Sequence, residues 1–203
     1  MKFSRALVAF AAVGLVTTLA SAEPSAEAKR LMKLRDAERY EVQTPHSRIR
    51  AGAARVSVKA PLDEVRKVVV DYKSYEKFIS KFEKSRVVGR EGDKTDVYLQ
   101  VPILKGAAKI WAVVRFGPPK KAGDEEIVQA SLVKGNVDRL DAKWRLKRID
   151  DENTQLHLEL LIVPKLPVPG SLVTGEVAYA ADVAVMGSRD RAEKRHAEAK
   201  AKH

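Results

Sequence analysis

Alternation of apolar and polar residues is the main pattern in the middle of the chain. Every second residue from Leu140 to Leu146, and again from Leu156 to Ile162, is apolar. A period of two is typical of a strand with one buried face. Turn residues such as Gly and Asn separate the alternating segments, and such short connections favour antiparallel neighbours. The pattern predicts strands over residues 48–59, 85–90, 95–104, 107–116, 125–133, 137–149 and 155–163.

Three later segments show helical spacing instead. Pro61 follows the first strand and opens a helix, because its fixed φ suits an early helical position. A second short helix is predicted over about residues 74–81, where Tyr75, Ile79 and Phe82 recur at helical intervals. After a proline-rich segment, Ser171 is the predicted N-cap of a long final helix. The apolar stripe of that helix consists of Val173, Val177, Ala180, Ala181 and Ala184.

A sheet with one apolar face and a helix with one apolar stripe can bury both surfaces by packing together. The chain therefore predicts an α+β two-layer fold, in which an antiparallel sheet of six to seven strands carries two short helices and a long C-terminal helix. Small residues on the inner stripe, Ala180, Ala181 and Ala184, leave room for an apolar cavity under that helix. The alternative, a fully packed core built from the same residues, stays open.

The N-terminal region has two parts. Lys2 and Arg5 precede an apolar run over residues 6–20, and Ala22 ends a small-residue cleavage pattern. These features predict a signal peptide over residues 1–22, cut after Ala22, and a periplasmic or secreted protein. An uncleaved membrane anchor is the alternative, but the run is short for a bilayer.

The segments that flank the domain are charged. Residues 23–47 form a helical or extended lead, and Leu31, Leu34 and Ala37 predict a short amphipathic helix within residues 23–40. We expect the folded domain over residues 48–195 and a charged tail over residues 196–203.

Composition narrows the chemistry. The absence of cysteine excludes disulfides, thiol nucleophiles and cysteine metal sites. A net charge of +11 favours anionic partners such as phospholipid headgroups, although solubility alone explains the same excess. Nucleic acid is not an expected partner, because a single basic row is present and its strand face is expected to be solvated. That row comprises Arg139, Lys143, Arg145, Lys147 and Arg148.

Candidate catalytic groups are few. His157 and Glu159 share one strand face, and Asp71 with Tyr72 follows the first helix. The first pair lies opposite the apolar face and is expected to be exposed to solvent, whereas Asp71 is interpreted as a turn carboxylate. We therefore expect no enzyme activity, no metal and no cofactor. The histidines are scattered and lack paired ligand spacing: His46, His157, His196 and His203.

Several short segments, in a fixed order, resemble those of one superfamily. They are Val58–Val65 at the first helix, Val70–Phe78 over the helix pair, Ser85–Val88, Gly135 with Trp144 to Leu146, Leu166–Pro169, and Arg189–Glu193. Over residues 48–195 the chain is similar to the START-like (SRPBCC) superfamily, which includes the polyketide cyclase and coenzyme Q-binding families. It departs from the pattern where Lys143 and its neighbours replace the glycine frequent before Trp144.

The resemblance implies an α+β helix-grip fold with a curved sheet. It also implies a cavity that holds a hydrophobic small molecule such as a lipid, sterol, quinone or polyketide. The leading hypothesis is periplasmic binding or transfer of such a ligand by a monomer. The alternatives are an interaction protein whose basic surface binds an envelope partner or an anionic membrane, and a cyclase-like enzyme. We expect Leu104, Leu166 and Val168 at the cavity entrance. The predicted cavity lining is Val97, Leu99, Ile110, Ala112, Val114, Trp144, Leu158, Leu160, Val173, Val177 and Ala181.

Overall fold

The computed structural model describes residues 23–202 apart from 46, 48, 104, 105, 107 and 166–168. The helices are α1 (Ala26–Leu31), α2 (Leu62–Val69), α3 (Tyr75–Phe78) and α4 (Gly170–Lys200), and a 3-10 turn (Tyr72–Ser74) precedes α3. The strands are β1 (Glu38–Val42), β2 (Ala51–Val58), β3 (Lys84–Glu91), β4 (Lys94–Ile103), β5 (Ala108–Phe116), β6 (Lys120–Ala122), β7 (Glu125–Gly135), β8 (Val137–Arg148) and β9 (Thr154–Pro164). The predicted signal peptide lies outside the described residues.

All of the described strands join one antiparallel sheet. Their order is β1-β2-β9-β8-β7-β5-β4-β3, and β6 pairs with β7 beside this path. The first and last long strands, β2 and β9, are neighbours. This pairing places the start of the domain beside the strand that leads into α4. The predicted α+β helix-grip fold is confirmed.

The alternating segments have one buried face, as their sequence predicts. Along β8, Leu140, Trp144 and Leu146 are buried, whereas Lys143 and Arg145, which alternate with them, are only partly buried. The buried face carries the core and faces α2 and α4. Helix α2 covers one part of this core with Val65, Val68 and Val69.

The sheet has nine described strands, two more than expected. A short helix that includes Leu31, Leu34 and Ala37 was predicted within residues 23–40, but α1 ends at Leu31 and β1 begins at Glu38. The segment Glu38–Val42 pairs with β2 along its whole length, and this pairing outweighs its weak helical spacing. The other addition, β6, has three residues, which is too short to show a period of two.

Helix α4 crosses the inner face of the sheet and is in close contact with β2 at Gly52 and with α3 at Gly187. A Cβ at Gly52 would lie 2.3 Å from the backbone N and Cα of Ala178. A Cβ at Gly187 would lie 2.2 Å from the carbonyl oxygen of Phe78. Because only a residue without a side chain fits at these positions, α4 approaches the backbone of β2 and of α3 directly.

The start of α4 differs from the prediction by two residues. Ser171 was predicted as the N-cap, but the cap is Pro169 and the helix begins at Gly170. Proline has no side-chain acceptor for the first helical N–H groups, and Ser171 is already inside the first turn.

Candidate functional site

Two adjoining voids lie between α4 and the inner face of the sheet. The inner void has a volume of about 100 Å³ and an almost entirely apolar wall. The sheet supplies most of that wall, α4 closes it with Ala180 and Ala184, and the segment around α3 closes one side. Its sheet residues are Leu99, Val101, Ile110, Ala112, Val114, Phe116, Leu140, Ala142, Trp144, Leu158, Leu160 and Ile162.

The outer void has a volume of about 80 Å³ and lies between the first turns of α4 and the ends of β4 and β9. It shares Val101, Ile110, Ile162, Ala180 and Lys81 with the inner void, so the two form one discontinuous gap. The remaining wall of the outer void consists of Pro102, Ile103, Pro164, Leu172, Val173, Glu176 and Val177.

The predicted lining residues fall into three groups. Leu99, Ile110, Ala112, Val114, Trp144, Leu158 and Leu160 line the inner void, and Ile110 also reaches the outer one. Val173 and Val177 line the outer void. Val97 and Ala181 are fully buried in the core and border neither void. A role of these residues in binding a ligand stays a prediction. The predicted entrance residues Leu104, Leu166 and Val168 lie outside the described residues.

Aromatic side chains narrow the gap at the end near α3. The rings of Tyr72 and Phe116 are 4.3 Å apart, and Tyr75 packs edge-on against Phe78 at 5.6 Å. Tyr75, Phe116 and Phe82 also border the inner void, and all three were absent from the predicted lining. The helical spacing of Tyr75 and Phe82 marked them as buried, but spacing alone does not show which cavity a buried ring borders.

The polar groups of the inner wall are a hydroxyl and an ammonium group. The Tyr75 hydroxyl donates a hydrogen bond to the carbonyl oxygen of Val69, and complete burial raises its pKa well above the ordinary value. Lys81 stands at the mouth with Nζ 4.6 Å from the centre of the Tyr179 ring. The deep part of the inner wall therefore carries no charge, and the part at the mouth carries the positive charge of Lys81.

His157 and Glu159 lie on the outer face of the sheet, away from both voids. His157 was expected to be exposed to solvent, and this expectation is wrong. Its Nε2 is 2.9 Å from the Tyr40 hydroxyl, and the two rings stack. Burial, together with the positive charges of Arg145 and Arg55, lowers the pKa of His157 to about 4. The missed strand β1 supplies Tyr40, so the prediction had no residue to cover the imidazole.

Asp71 and Tyr72 border neither void. Tyr72 is buried in the core, and burial raises its pKa to about 12. The backbone carbonyl of Asp71 accepts a hydrogen bond from Ser74 N, whereas its carboxylate makes no capping hydrogen bond. The turn at Asp71 is thus held by backbone and not by the carboxylate.

A broad cleft of about 790 Å³ lies on the outer face of the sheet. Its basic residues are Lys94, Arg115, Lys120, Lys121, Arg139 and Lys143, and its acidic ones are Asp93, Asp141 and Glu159. Two members of the predicted basic row, Arg139 and Lys143, line this cleft. Of these two, Arg139 pairs with Asp141. The other three also pair with carboxylates: Arg145 with Glu125 and Glu159, Lys147 with Asp124, and Arg148 with Asp151.

Neither a metal centre nor a membrane span is found in the part of the chain that the structure describes. No three His, Asp or Glu side chains there are grouped so that they could hold a metal ion. The helices within the same residues are all too short or too polar to cross a bilayer.

Comparison with protein families adds the decisive observation. A family model described as polyketide cyclase / dehydrase and lipid transport matches residues 58–178. The chain belongs to this family. The match runs from the end of β2 into the first half of α4, and it includes every sheet residue that lines the two voids. The resemblance to the START-like superfamily is confirmed.

Solved structures of proteins with low sequence identity share the fold. The STAR-related lipid transfer protein of Xanthomonas axonopodis is 20% identical, with 78% of this chain and 94% of that one covered at a TM-score of 0.67. Human StAR-related lipid transfer protein 5 is 10% identical, with 80% and 85% covered at 0.67. The Zhui aromatase/cyclase of a Streptomyces species is 18% identical, with 79% and 94% covered at 0.53. No curated protein sequence matches the chain.

Proposed function

We propose that this protein is a periplasmic carrier that binds a hydrophobic small molecule between α4 and the sheet and releases it unchanged. The observation that supports the proposal most directly is the pair of adjoining apolar voids in a fold of the lipid transport family. Their walls are aliphatic and aromatic apart from the hydroxyl of Tyr75 and the charged groups of Lys81 and Glu176. Such a wall stabilises an apolar ligand through removal of its surface from water.

The voids are smaller than a ligand site for a lipid. Pockets for drug-sized ligands usually span about 300–1,000 Å³, against about 100 and 80 Å³ here. Binding therefore requires the gap to widen. The two glycine contacts hold α4 between Ala178 and Gly187, so widening belongs to the turns before Ala178, which a hydrogen bond from Arg50 N to Thr174 Oγ1 joins to the segment before β2.

Transport without chemistry is supported by the kind of polar groups at the voids. The Tyr75 hydroxyl already donates to Val69, and its raised pKa keeps it protonated at neutral pH. Lys81 and the exposed Glu176 stand at the mouth and not in the depth of the gap. Acid–base catalysis needs a group with a pKa near the working pH beside the reacting atom.

The periplasmic location rests on the N-terminal sequence alone. Lys2 and Arg5, the apolar run over residues 6–20 and the small residues before Glu23 form the pattern that a signal peptidase recognises. Expression of the full chain in a bacterium, followed by N-terminal sequencing of the periplasmic protein, tests this part. We expect Glu23 as the first residue. An intact N-terminus in the membrane fraction would contradict cleavage and favour the membrane anchor, and an intact N-terminus in the cytoplasm would contradict export.

Native mass spectrometry of the protein purified from its own envelope, with lipid extraction, tests the carrier function. We expect a hydrophobic molecule bound at near-stoichiometric amount. Ala180→Phe places a ring in both voids and should remove the bound mass. Ala197→Phe, the same change at an exposed position of α4, is the matched control and should retain it. Ligand-free protein that also binds no member of a lipid panel would overturn the proposal.

The outer cleft supports a second candidate function, attachment to an anionic membrane surface. Among the described residues, Lys94, Lys120, Lys121 and Lys143 have no carboxylate within salt-bridge distance. Basic residues near an anionic bilayer contribute about 1 kcal/mol each. Sedimentation with phosphatidylglycerol vesicles, compared with phosphatidylcholine vesicles, tests it. We expect binding to the former only, weakened by the double change Lys120→Glu and Lys121→Glu. Equal binding to both vesicles would contradict this function.

A further inference from the structure

Lys81 is the one basic residue that borders both voids in the described part of the chain. It follows α3, in the link to β3, and its side chain is partly buried. Its ammonium group stands over the exposed ring of Tyr179, with Nζ 4.6 Å from the ring centre. A cation over an aromatic face is attracted to the ring. Tyr179 therefore holds the charge of Lys81 at the mouth and keeps the long side chain from swinging into solvent.

The positive charge of Lys81 is not neutralised by the other charged side chains described near the mouth. Among the described residues no carboxylate lies within 4 Å of its Nζ. Asp182 pairs with Arg39 at 3.6 Å, and Arg39 stands 5.9 Å from the same Tyr179 ring. Glu176 borders the outer void only and is exposed to solvent. The wall that the two voids share therefore has a net positive charge.

The shape of the gap limits the apolar part of a ligand. The two voids adjoin through a shared wall and contain only about 100 and 80 Å³. A single alkyl chain can follow such a path with a small displacement of α4, whereas a fused ring system or two acyl chains would need a much wider gap. Close packing of the surrounding core makes large displacements costly.

We propose that the ligand is a single-chain anionic amphiphile, whose carboxylate or phosphate monoester binds Lys81 at the mouth and whose alkyl chain extends through the voids. This inference rests on the proposed carrier function and names the ligand class for it. A charge-assisted hydrogen bond from the ammonium group to the anionic head supplies the preference over neutral ligands. Glu176 opposes the same head through its like charge.

Calorimetric titration of the delipidated protein with chain-matched probes tests the inference. The probes are dodecanoate, dodecyl phosphate, dodecanol and dodecylammonium, each below its micelle concentration. We expect the two anions to bind roughly tenfold more tightly than dodecanol, and the cation most weakly. The tighter of the two anions identifies the head group.

Three variants test whether Lys81 causes the preference for anionic probes. Lys81→Met should bring the anions to the affinity of dodecanol while dodecanol itself binds as before, which also shows that the cavity is intact. Glu176→Gln should tighten the binding of the anions only. Lys77→Met removes the same charge from an exposed position of α3 that borders neither void, and it should behave as the original protein.

The possible results distinguish an error in the proposed ligand class from an error in the proposed carrier function. Equal affinity for dodecanoate, dodecyl phosphate and dodecanol would overturn the anionic class and leave the carrier function in place. A preference for anions that survives Lys81→Met would overturn the role of Lys81. Binding of none of the probes by a protein that also carries no lipid from its own envelope would overturn the carrier function itself.

Discussion

At the scale of single residues, His157 shows how a covering strand changes the chemistry of an imidazole. Its position on the polar face of β9 follows from the sequence, because it alternates with Leu156 and Leu158. Its burial does not follow, because Tyr40 reaches it from β1 on the far side of β2. The sequence of β9 alone does not predict that contact.

His157 gives the fold a pH dependence of known sign. The unfolded chain protonates this residue below about pH 6.5 and the folded chain only below about 4. Between these values the unfolded state holds more protons, so stability is complete above pH 6.5 and falls as the pH falls toward 4. We expect a loss of about 2 kcal/mol between pH 7 and pH 5, measured by urea unfolding.

The variant His157→Gln should lose much less stability over the same range, since it has no proton to gain. Protonation of Glu38 does not affect this comparison between pH 7 and pH 5. Hydrogen bonds from Arg30 and Arg55 lower its pKa to about 2, so its contribution is lost only below about 4.5. Parallel slopes for the original protein and His157→Gln between pH 7 and pH 5 would show that the imidazole is not the titrating group.

Gly52 is a residue at which the close approach of two backbones can be tested through stability. Gly52→Ala places a methyl group 2.3 Å from Ala178 backbone atoms, so α4 must move away from β2. We expect a loss of about 1–3 kcal/mol, measured by urea unfolding. Gly175→Ala is the matched control, because a Cβ there has open space and alanine favours the helix by about 1 kcal/mol. An unchanged midpoint for Gly52→Ala would argue against direct contact.

At the scale of elements, the periodic pattern predicted the long strands and missed those formed by tertiary pairing. The segments of β8 and β9 alternate over seven residues or more, and both are found where the pattern places them. β1 has the sequence Glu38–Val42, in which two of five residues are apolar, and it becomes a strand because β2 offers a free edge. Sequence spacing carries no information about a free edge.

The N-terminal lead, residues 23–47, allows a test of where α1 ends. Leu31, Leu34 and Ala37 were predicted as one apolar stripe, but Leu31 is 1% exposed and Leu34 is 41% exposed. We therefore expect Leu31→Ala to lower the free energy of unfolding by about 2–4 kcal/mol through the cavity it leaves. Leu34→Ala should change it by less than about 0.5 kcal/mol. Similar losses in thermal or urea unfolding would restore the continuous stripe and contradict the end of α1 at Leu31.

At the scale of the whole molecule, sequence order predicted the fold, whereas the size of the gap needed coordinates. The small residues Ala180 and Ala184 correctly marked the side of α4 that borders the inner void. The volume that remains depends on how far Tyr75, Phe82 and Phe116 extend from other elements into the same space. Such three-way packing cannot be derived from the spacing within one helix or strand.

Hydrogen exchange of the ligand-free protein measures how the molecule opens. The turns of α4 before Ala178 border the outer void and carry the exposed Leu172, whereas the stretch to Gly187 is in backbone contact with β2 and α3. We expect amides at 172–176 to exchange at least tenfold faster than those at 181–187. Uniform protection along the helix would indicate that it moves as one body or not at all.

For the proposed carrier, the contacts of α4 determine which end of the gap opens first. The stretch from Ala178 to Gly187 lies in direct backbone contact with β2 and α3, whereas the turns before Ala178 are joined to the segment before β2 by a hydrogen bond from Arg50 N to Thr174 Oγ1. Displacement of these first turns opens the outer void while the sheet and the aromatic cluster near α3 remain folded. A carrier of this kind releases its ligand through partial opening, which can proceed far faster than global unfolding.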